Sequence, residues 1–295
     1  MRIITPPAGF RKGLTLMLAG LFAVAGVALP ARAAEPAYPK ELVNGSFDYL
    51  PEGGWDTISP IPMGSSPVTG GGGKYTSVDP VNGQYIHNAS TGTTEDPSSW
   101  VSWPGFDRTK FGWESDQTGG KPQGGLTDHA RAVELQRDSA TGNTYAEIVA
   151  SETGKAILQR IDTQHDTSTV YTVSLRHASL SAEHADTMRV LVNDQPVRMT
   201  RVGSNLAGDP DGWTGTDLTS HATNGDRYHH DGQWTLYRGT VTIPADTPVS
   251  TFTFQALNAL DPTKGNLIDD VSFQIGYPLA YSANGGAGTL PKQTN

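Results

Sequence analysis

From residue 132 to residue 276 the sequence runs as short stretches of alternating apolar and polar residues, separated by turn-forming residues. Period-two alternation places successive side chains on opposite faces, the pattern of a half-buried strand. The stretches are 132–136, 144–150, 156–162, 170–179, 188–192, 234–243, 250–256 and 271–275. In 250–256, Phe252 and Phe254 share one face, while Thr251, Thr253 and Gln255 share the other. The one helix-like stretch, 179–185, is too short to build a layer. Many short strands at short intervals predict an all-β sandwich and not a series of βαβ units.

The rest of the chain reads as loops. With 36% hydrophobic residues, 34 Gly and 20 Pro, a core can form, but turns interrupt it often. Two polar insertions stand out, 53–125 and 201–231. The first contains the uninterrupted run Gly70-Gly71-Gly72-Gly73 and only two short strand-like pieces, 84–87 and 100–103. Loops this long in a compact domain tend to carry function or to be disordered.

Charge and cysteine content exclude several classes. A formal charge of -9 repels nucleic acid and anionic membrane surfaces. The absence of cysteine rules out a disulfide framework, a thiol nucleophile, a Cys-based zinc site and an iron–sulfur cluster. At the front, Arg2, Arg11 and Lys12 precede an uncharged apolar stretch, 14–29, then Pro30 and Ala31-Arg32-Ala33. A basic start, an apolar core and a small-x-small site predict a cleaved signal peptide over residues 1–33. The apolar core is short for a membrane anchor. Cleavage near Ala34 removes four positive charges (Arg2, Arg11, Lys12, Arg32) and leaves a more acidic mature chain with no second apolar span.

Two sets of residues carry a resemblance. Leu42-Val43-Asn44-Gly45-Ser46-Phe47-Asp48 resembles the opening of many bacterial jelly-roll modules, and Gly265-Asn266-Leu267-Ile268-Asp269-Asp270-Val271-Ser272-Phe273 resembles their last strand. Val133-Glu134-Leu135, Leu158-Gln159-Arg160-Ile161, Ser174-Leu175-Arg176-His177, Asp186-Thr187-Met188-Arg189-Val190 and Trp234 with Tyr237 and Gly239 fall between them in matching order. Together these resemble the galactose-binding-like superfamily, which includes carbohydrate-binding modules, over roughly 38–277. The resemblance implies a jelly-roll β-sandwich with long loop insertions, exported to a Gram-positive cell surface. The tail, Ala283-Asn284-Gly285-Gly286-Ala287-Gly288-Thr289-Leu290-Pro291-Lys292-Gln293-Thr294, is similar to the opening of a Listeria–Bacteroides (internalin B-type) repeat. That makes 278–295 the truncated start of such a repeat, the alternative being a disordered Gly-rich tail. Leu290-Pro291-Lys292-Gln293-Thr294 lacks the apolar span and basic tail of a sortase signal.

Candidate chemistry divides into metal, catalysis and binding. In the resembled modules a structural calcium often lies between the first strand and the closing acidic pair. Calcium takes six to eight oxygens, and Asn44, Ser46, Asp48 and Asp270 would supply some of them if the two ends of the domain are adjacent. The alternative sends one of Asp269 and Asp270 to solvent and leaves the other capping a turn. His229-His230-Asp231 with His221 does not read as a metal site, because adjacent residues on an extended chain point opposite ways. Asp209-Pro210-Asp211-Gly212 with Asp217 lacks the spacing of a calcium loop and reads as a turn. No nucleophile elbow, zinc-binding helix motif or phosphate loop is present. Glu114, Glu134 and Glu147 could form a glycosidase pair only at a defined separation, which spacing does not show.

Aromatic residues are the stronger signal. Trp55, Trp100, Trp103, Phe106, Phe111, Trp113 and Trp213 cluster in the two insertions, close to Asp107, Arg108, Glu114, Asp116 and Asn224. Exposed rings stack on sugar faces while nearby polar groups fix the hydroxyls; the alternative is that these rings pack the loops onto the sandwich. Trp100, Trp103, Trp113, Trp213, Asp107, Arg108 and His177 are the candidate ligand residues. Three functions stay open: a non-catalytic surface module binding a glycan or a host or matrix protein as part of an adhesin, a stalk without a ligand, and an accessory domain of a carbohydrate-active enzyme.

Overall fold

The computed structural model describes residues 38–56, 61–62, 74–86, 100–119, 130–137, 141–149, 154–204, 208–222, 230, 232–262 and 264–276. All lie within the unit Ala37–Asn295. The expected signal peptide and the repeat-like tail lie outside the described residues.

Among the described residues, seventeen strands follow in chain order. The front insertion holds β1 (Ile61–Pro62), β2 (Lys74–Asp79), β3 (Gln84–Ile86), β4 (Trp100–Ser102), the one-turn helix α1 (Arg108–Phe111) and β5 (Glu114–Ser115). Then come β6 (Val133–Arg137), β7 (Thr144–Glu147), β8 (Ala156–Asp162), β9 (Thr169–Ala178), β10 (Asp186–Val192) and β11 (Gln195–Pro196). The second insertion holds β12 (Met199–Gly203), β13 (Thr214–Gly215) and β14 (Asp217–Ser220). The chain closes with β15 (Thr235–Ile243), β16 (Val249–Asn258) and β17 (Leu267–Ile275).

Two antiparallel sheets result. The larger runs β13-β12-β15-β9-β17-β7-β6-β2-β3-β4, with β1 beside β2; the smaller runs β11-β10-β16-β8-β5, with β14 beside β10. The expected β-sandwich is what the chain forms. Its core lies between the sheets: Phe252 and Phe254 of β16 are buried with Tyr171, Val173 and Leu175 of β9 and Phe273 of β17. Tyr171 and Phe273 stack at 4.3 Å, and Trp113 meets Phe254 edge-on at 5.6 Å. Each such ring removes a large apolar area from water, and the pairing geometry adds to that gain.

The two ends of the domain lie side by side. Val271 N–H donates to the Gly45 carbonyl at 3.0 Å, and Asn44 Oδ1 accepts from Tyr49 N–H at 2.9 Å. Trp113 Nε1 donates to the Asn44 carbonyl at 2.8 Å. A Cβ at Gly45 would run into the Val271 carbonyl oxygen, so this close approach needs glycine.

Polar spacing hid some strands. β2 lies in the sheet interior between β6 and β3, yet its sequence, Lys-Tyr-Thr-Ser-Val-Asp, carries little apolar signal. Likewise β12, β13 and β14 occupy an insertion read as loop. Arg201 draws that insertion in. Its guanidinium lies 5.4 Å from the ring centres of both Trp213 and Tyr237 and 3.4 Å from Asp209. It donates to the Thr219 carbonyl at 2.7 Å, the Pro210 carbonyl at 3.2 Å and Tyr237 Oη at 3.0 Å. Asp209 accepts in turn from His221 N–H at 2.8 Å and from Thr235 Oγ1 at 3.3 Å. Both charges are almost wholly out of water, at 5% and 1% exposure, so each depends on the other and on its hydrogen bonds.

Candidate functional site

The first wall of the candidate site is a turn built by Asp79 at the end of β2. Its Oδ1 accepts from Val81 N–H at 2.9 Å and Asn82 N–H at 3.1 Å, and its Oδ2 from Asn82 Nδ2 at 2.8 Å. Arg131 pairs with the same carboxylate at 3.5 Å. Gly83 follows at φ +61, against Phe106, where a side chain would strain the backbone and crowd the ring.

The second wall is the segment from β4 into α1. Trp103 N–H donates to the Gly83 carbonyl at 2.8 Å and ties the two walls together. Tyr49 stacks on Trp103 at 5.1 Å, and Trp103 meets Phe106 at 5.1 Å, so a cluster of rings supports the loop. Asp107 caps α1 through Thr109 N–H at 2.9 Å, and the Thr109 hydroxyl holds its carboxyl below the usual range. Asp107 N–H donates to Tyr49 Oη at 2.9 Å.

Between these walls lies an open groove of about 420 Å³. The turn 80–83 lines one side; Ser102, Gly105, Phe106 and Arg108 line the other, with Trp103 between them. Arg108 Nη2 donates to Glu114 Oε1 at 2.9 Å, and Arg160 Nη1 donates to Glu114 Oε2 at 2.5 Å. The groove offers a half-buried ring, a hydroxyl, an amide and a guanidinium. Such a set can hold a ligand; it brings no facing pair of carboxylates and no nucleophile with a base.

The candidate ligand residues divide sharply. Trp103 and Arg108 line the groove, and Asp107, between Phe106 and Arg108, caps α1 without lining it. Trp103 is only 5% exposed and acts as support for Phe106, not as a platform. Trp113 is fully buried in the sandwich core, and its role as an exposed ring is corrected: the Asn44 carbonyl and the Phe47 ring, stacked at 4.9 Å, hold it. Trp213 lies elsewhere, half-buried against Arg201. Trp100 is half-buried on the edge strand β4. His177 is corrected too. It is buried in the core, with Nε2 paired to Asn266 Oδ1 at 3.0 Å and Nδ1 without a partner. Burial lowers its pKa to about 4, so it stays neutral. Sequence reasoning missed the wall 80–83; the signal was the Asp79-to-Gly83 turn with its Asn-Gly step.

The calcium donors do not fit a cage as placed. Asn44 is committed: its Oδ1 and carbonyl oxygen both accept N–H groups, and its Nδ2 donates to the Phe111 carbonyl at 3.3 Å. Asp270 pairs with Arg176 at 3.1 Å, while Ser46 and Asp48 face solvent. Among the described residues no cluster of three His, Asp or Glu side chains could hold a metal ion. Of the histidine group, His230 Nε2 donates to the Gln233 carbonyl at 2.8 Å; His229 and Asp231 lie outside the described residues.

A second acidic pair is hidden. Glu134 and Glu147 face each other across β6 and β7, at 6% and 1% exposure. Gln136 Nε2 donates to both, and Gly265 N–H donates to Glu147 Oε1 at 2.6 Å. Burial, with Glu134 beside it, pushes the Glu147 carboxyl well above the usual range. Two buried carboxyls on adjacent strands have no room between them for a glycosidic bond, which sets aside the glycosidase pairing of these two.

Comparison with known proteins finds only distant structural neighbours. No family model matches the sequence, and no curated protein matches it. Among solved structures, it is similar to a family 35 carbohydrate-binding module from Clostridium thermocellum, at 15% identity over 47% of this chain and 85% of that one, TM-score 0.29. It is also similar to the C-terminal family 6 carbohydrate-binding module of a marine laminarinase from Zobellia galactanivorans, at 14% identity over 48% and 87%, TM-score 0.29. A third is the K3 cleaved adhesin domain of Lys-gingipain from Porphyromonas gingivalis, at 12% identity over 55% and 91%, TM-score 0.27. At these values no residue role passes from them to this chain. Among the described residues no helix is long and apolar enough to cross a membrane.

Proposed function

We propose that this chain is a non-catalytic, exported sugar-binding module of a bacterial surface protein, and that it holds its ligand in the groove between 80–83 and 102–108. The observation that supports this most is the groove itself: an open cleft with a half-buried ring, Phe106, backed by Trp103 and Tyr49, and polar groups on both walls. Rings supported in this way lose little freedom on binding, which favours recognition of a sugar face. The expected signal peptide at residues 1–33 and the repeat-like tail at 278–295 support placing it in an adhesin.

Affinity electrophoresis of the chain through gels containing single soluble polysaccharides tests the reading. Retardation by at least one glycan is expected, and Phe106→Ala should weaken it about tenfold, the scale of one aromatic contact. Free migration through every polysaccharide would favour a stalk without a ligand.

Calcium is a separate matter. Because Asn44 and Asp270 are already engaged, melting curves with calcium and with a chelator should coincide. A rise of several degrees with calcium would restore Asn44, Ser46, Asp48 and Asp270 as a metal site.

A further inference from the structure

The charges around the groove narrow the ligand class. Of the residues that line it, only Arg108 is charged. The carboxylate that builds the facing wall, Asp79, is taken up by two backbone N–H groups, the Asn82 amide and Arg131. Glu114 is shared by Arg108 and Arg160, two guanidinium groups against one carboxylate. Lys110 and Asp107, 4.0 Å apart, cancel each other. One positive charge is therefore left over beside Phe106, on a chain whose net charge is -9.

We propose that the groove takes an acidic sugar, a ring bearing a carboxylate or a sulfate ester, with Phe106 against the ring and Arg108 on the anionic group. This rests on the groove being the sugar site. Arg108 uses one of its five N–H donors on Glu114 and has others to give; its side chain is half exposed. Glu114 holds the guanidinium in place beforehand, which lowers the ordering cost of a fork-like pair with an anion. The overall negative charge works against a long polyanion. Its reach is screened beyond about 8 Å at physiological salt, so a short acidic oligosaccharide feels mainly the local arginines.

Isothermal titration of the full chain with three probes tests this: a galacturonate trimer, a 6-sulfated galactose trimer and the unmodified galactose trimer. At least one acidic trimer should bind about tenfold or more tighter than the neutral one, as a charge-assisted hydrogen bond requires. The stronger acidic probe identifies carboxylate or sulfate as the recognised group. Arg108→Gln should bring that affinity down to the neutral level, and Arg108→Lys, which keeps charge without the fork, should fall between. Melting curves confirm that the variants stay folded. Equal affinity for acidic and neutral trimers, or an Arg108→Gln chain that still prefers the acid, overturns the acidic-sugar inference and leaves the sugar reading standing. Absence of binding by all three probes, together with free migration through every polysaccharide gel, overturns both. If a gel retards the chain while no trimer binds, only the acidic-sugar inference fails.

Discussion

Arg201→Met lowers the melting temperature by about 10 °C, the largest single effect expected outside the sandwich core. The change keeps an unbranched apolar stem but takes the guanidinium away from the Asp209 carboxylate, which is 1% exposed and is left with His221 and Thr235 alone. Breaking a buried pair by removing one partner costs about 3–5 kcal/mol, and in a domain of this size each kcal/mol moves the midpoint by about 2–4 °C. The Pro210 carbonyl loses its donor at the same time, while the Thr219 carbonyl keeps the Tyr237 hydroxyl. Adding Asp209→Asn to Arg201→Met should recover part of the loss, since an amide there needs no counter-charge. Thermal melts of the single and double variants measure it. A drop below about 2 °C for Arg201→Met would mean that water reaches Asp209 and that the insertion is not held by this pair.

Glu147→Gln stabilises the protein at alkaline pH and removes part of its pH dependence. A carboxyl whose folded pKa is raised binds its proton more tightly in the folded chain than in the unfolded one. Its contribution is complete below the ordinary value of 4.5 and is lost as pH rises through the raised folded value. Glutamine has no proton to lose. Its carbonyl can still accept from Gly265 N–H, and its amide can donate to Glu134 or to Gln136 Oε1, which is buried without a partner. Relief of a poorly compensated buried charge acts on a scale of about 1–4 kcal/mol.

The variant should therefore melt higher than the parent at pH 8 and level with it near pH 4. The alkaline decline will not vanish. Asp186, raised by burial, and Asp269, pushed up to about 6 by burial, contribute to it with the same sign. His177 acts in the opposite direction: with its folded pKa at about 4, its contribution is complete above the ordinary value of 6.5 and is lost as pH falls from there through about 4. Parallel melting profiles for parent and variant from pH 4 to pH 9 would show that Glu147 does not hold a proton in the folded state.

Local pattern was enough to identify the sandwich strands, because alternation and register are the same fact seen twice. Phe252 and Phe254 face the core since residues two apart must share a face, and the buried–exposed alternation of β16 follows directly. The polar strands escaped notice for the same reason. In β2, Thr76, Ser77 and Val78 are all buried, because the sheet is covered on both sides there and alternation carries no signal.

The site was legible only in part. The sequence by itself determined that aromatic and charged residues gather at 100–113, and Arg108 and Phe106 could be named from it. Only tertiary structure decided which rings support and which face the groove. Trp103 and Trp113 differ from Phe106 in what packs against them from distant segments, Tyr49 and Phe47 above all. The same holds for the carboxyls. Glu134 and Glu147 are thirteen positions apart, and nothing local shows that antiparallel pairing sets them opposite each other in a dry layer. Burial and partner identity come from long-range contacts, and those two quantities separate a binding group from a structural one.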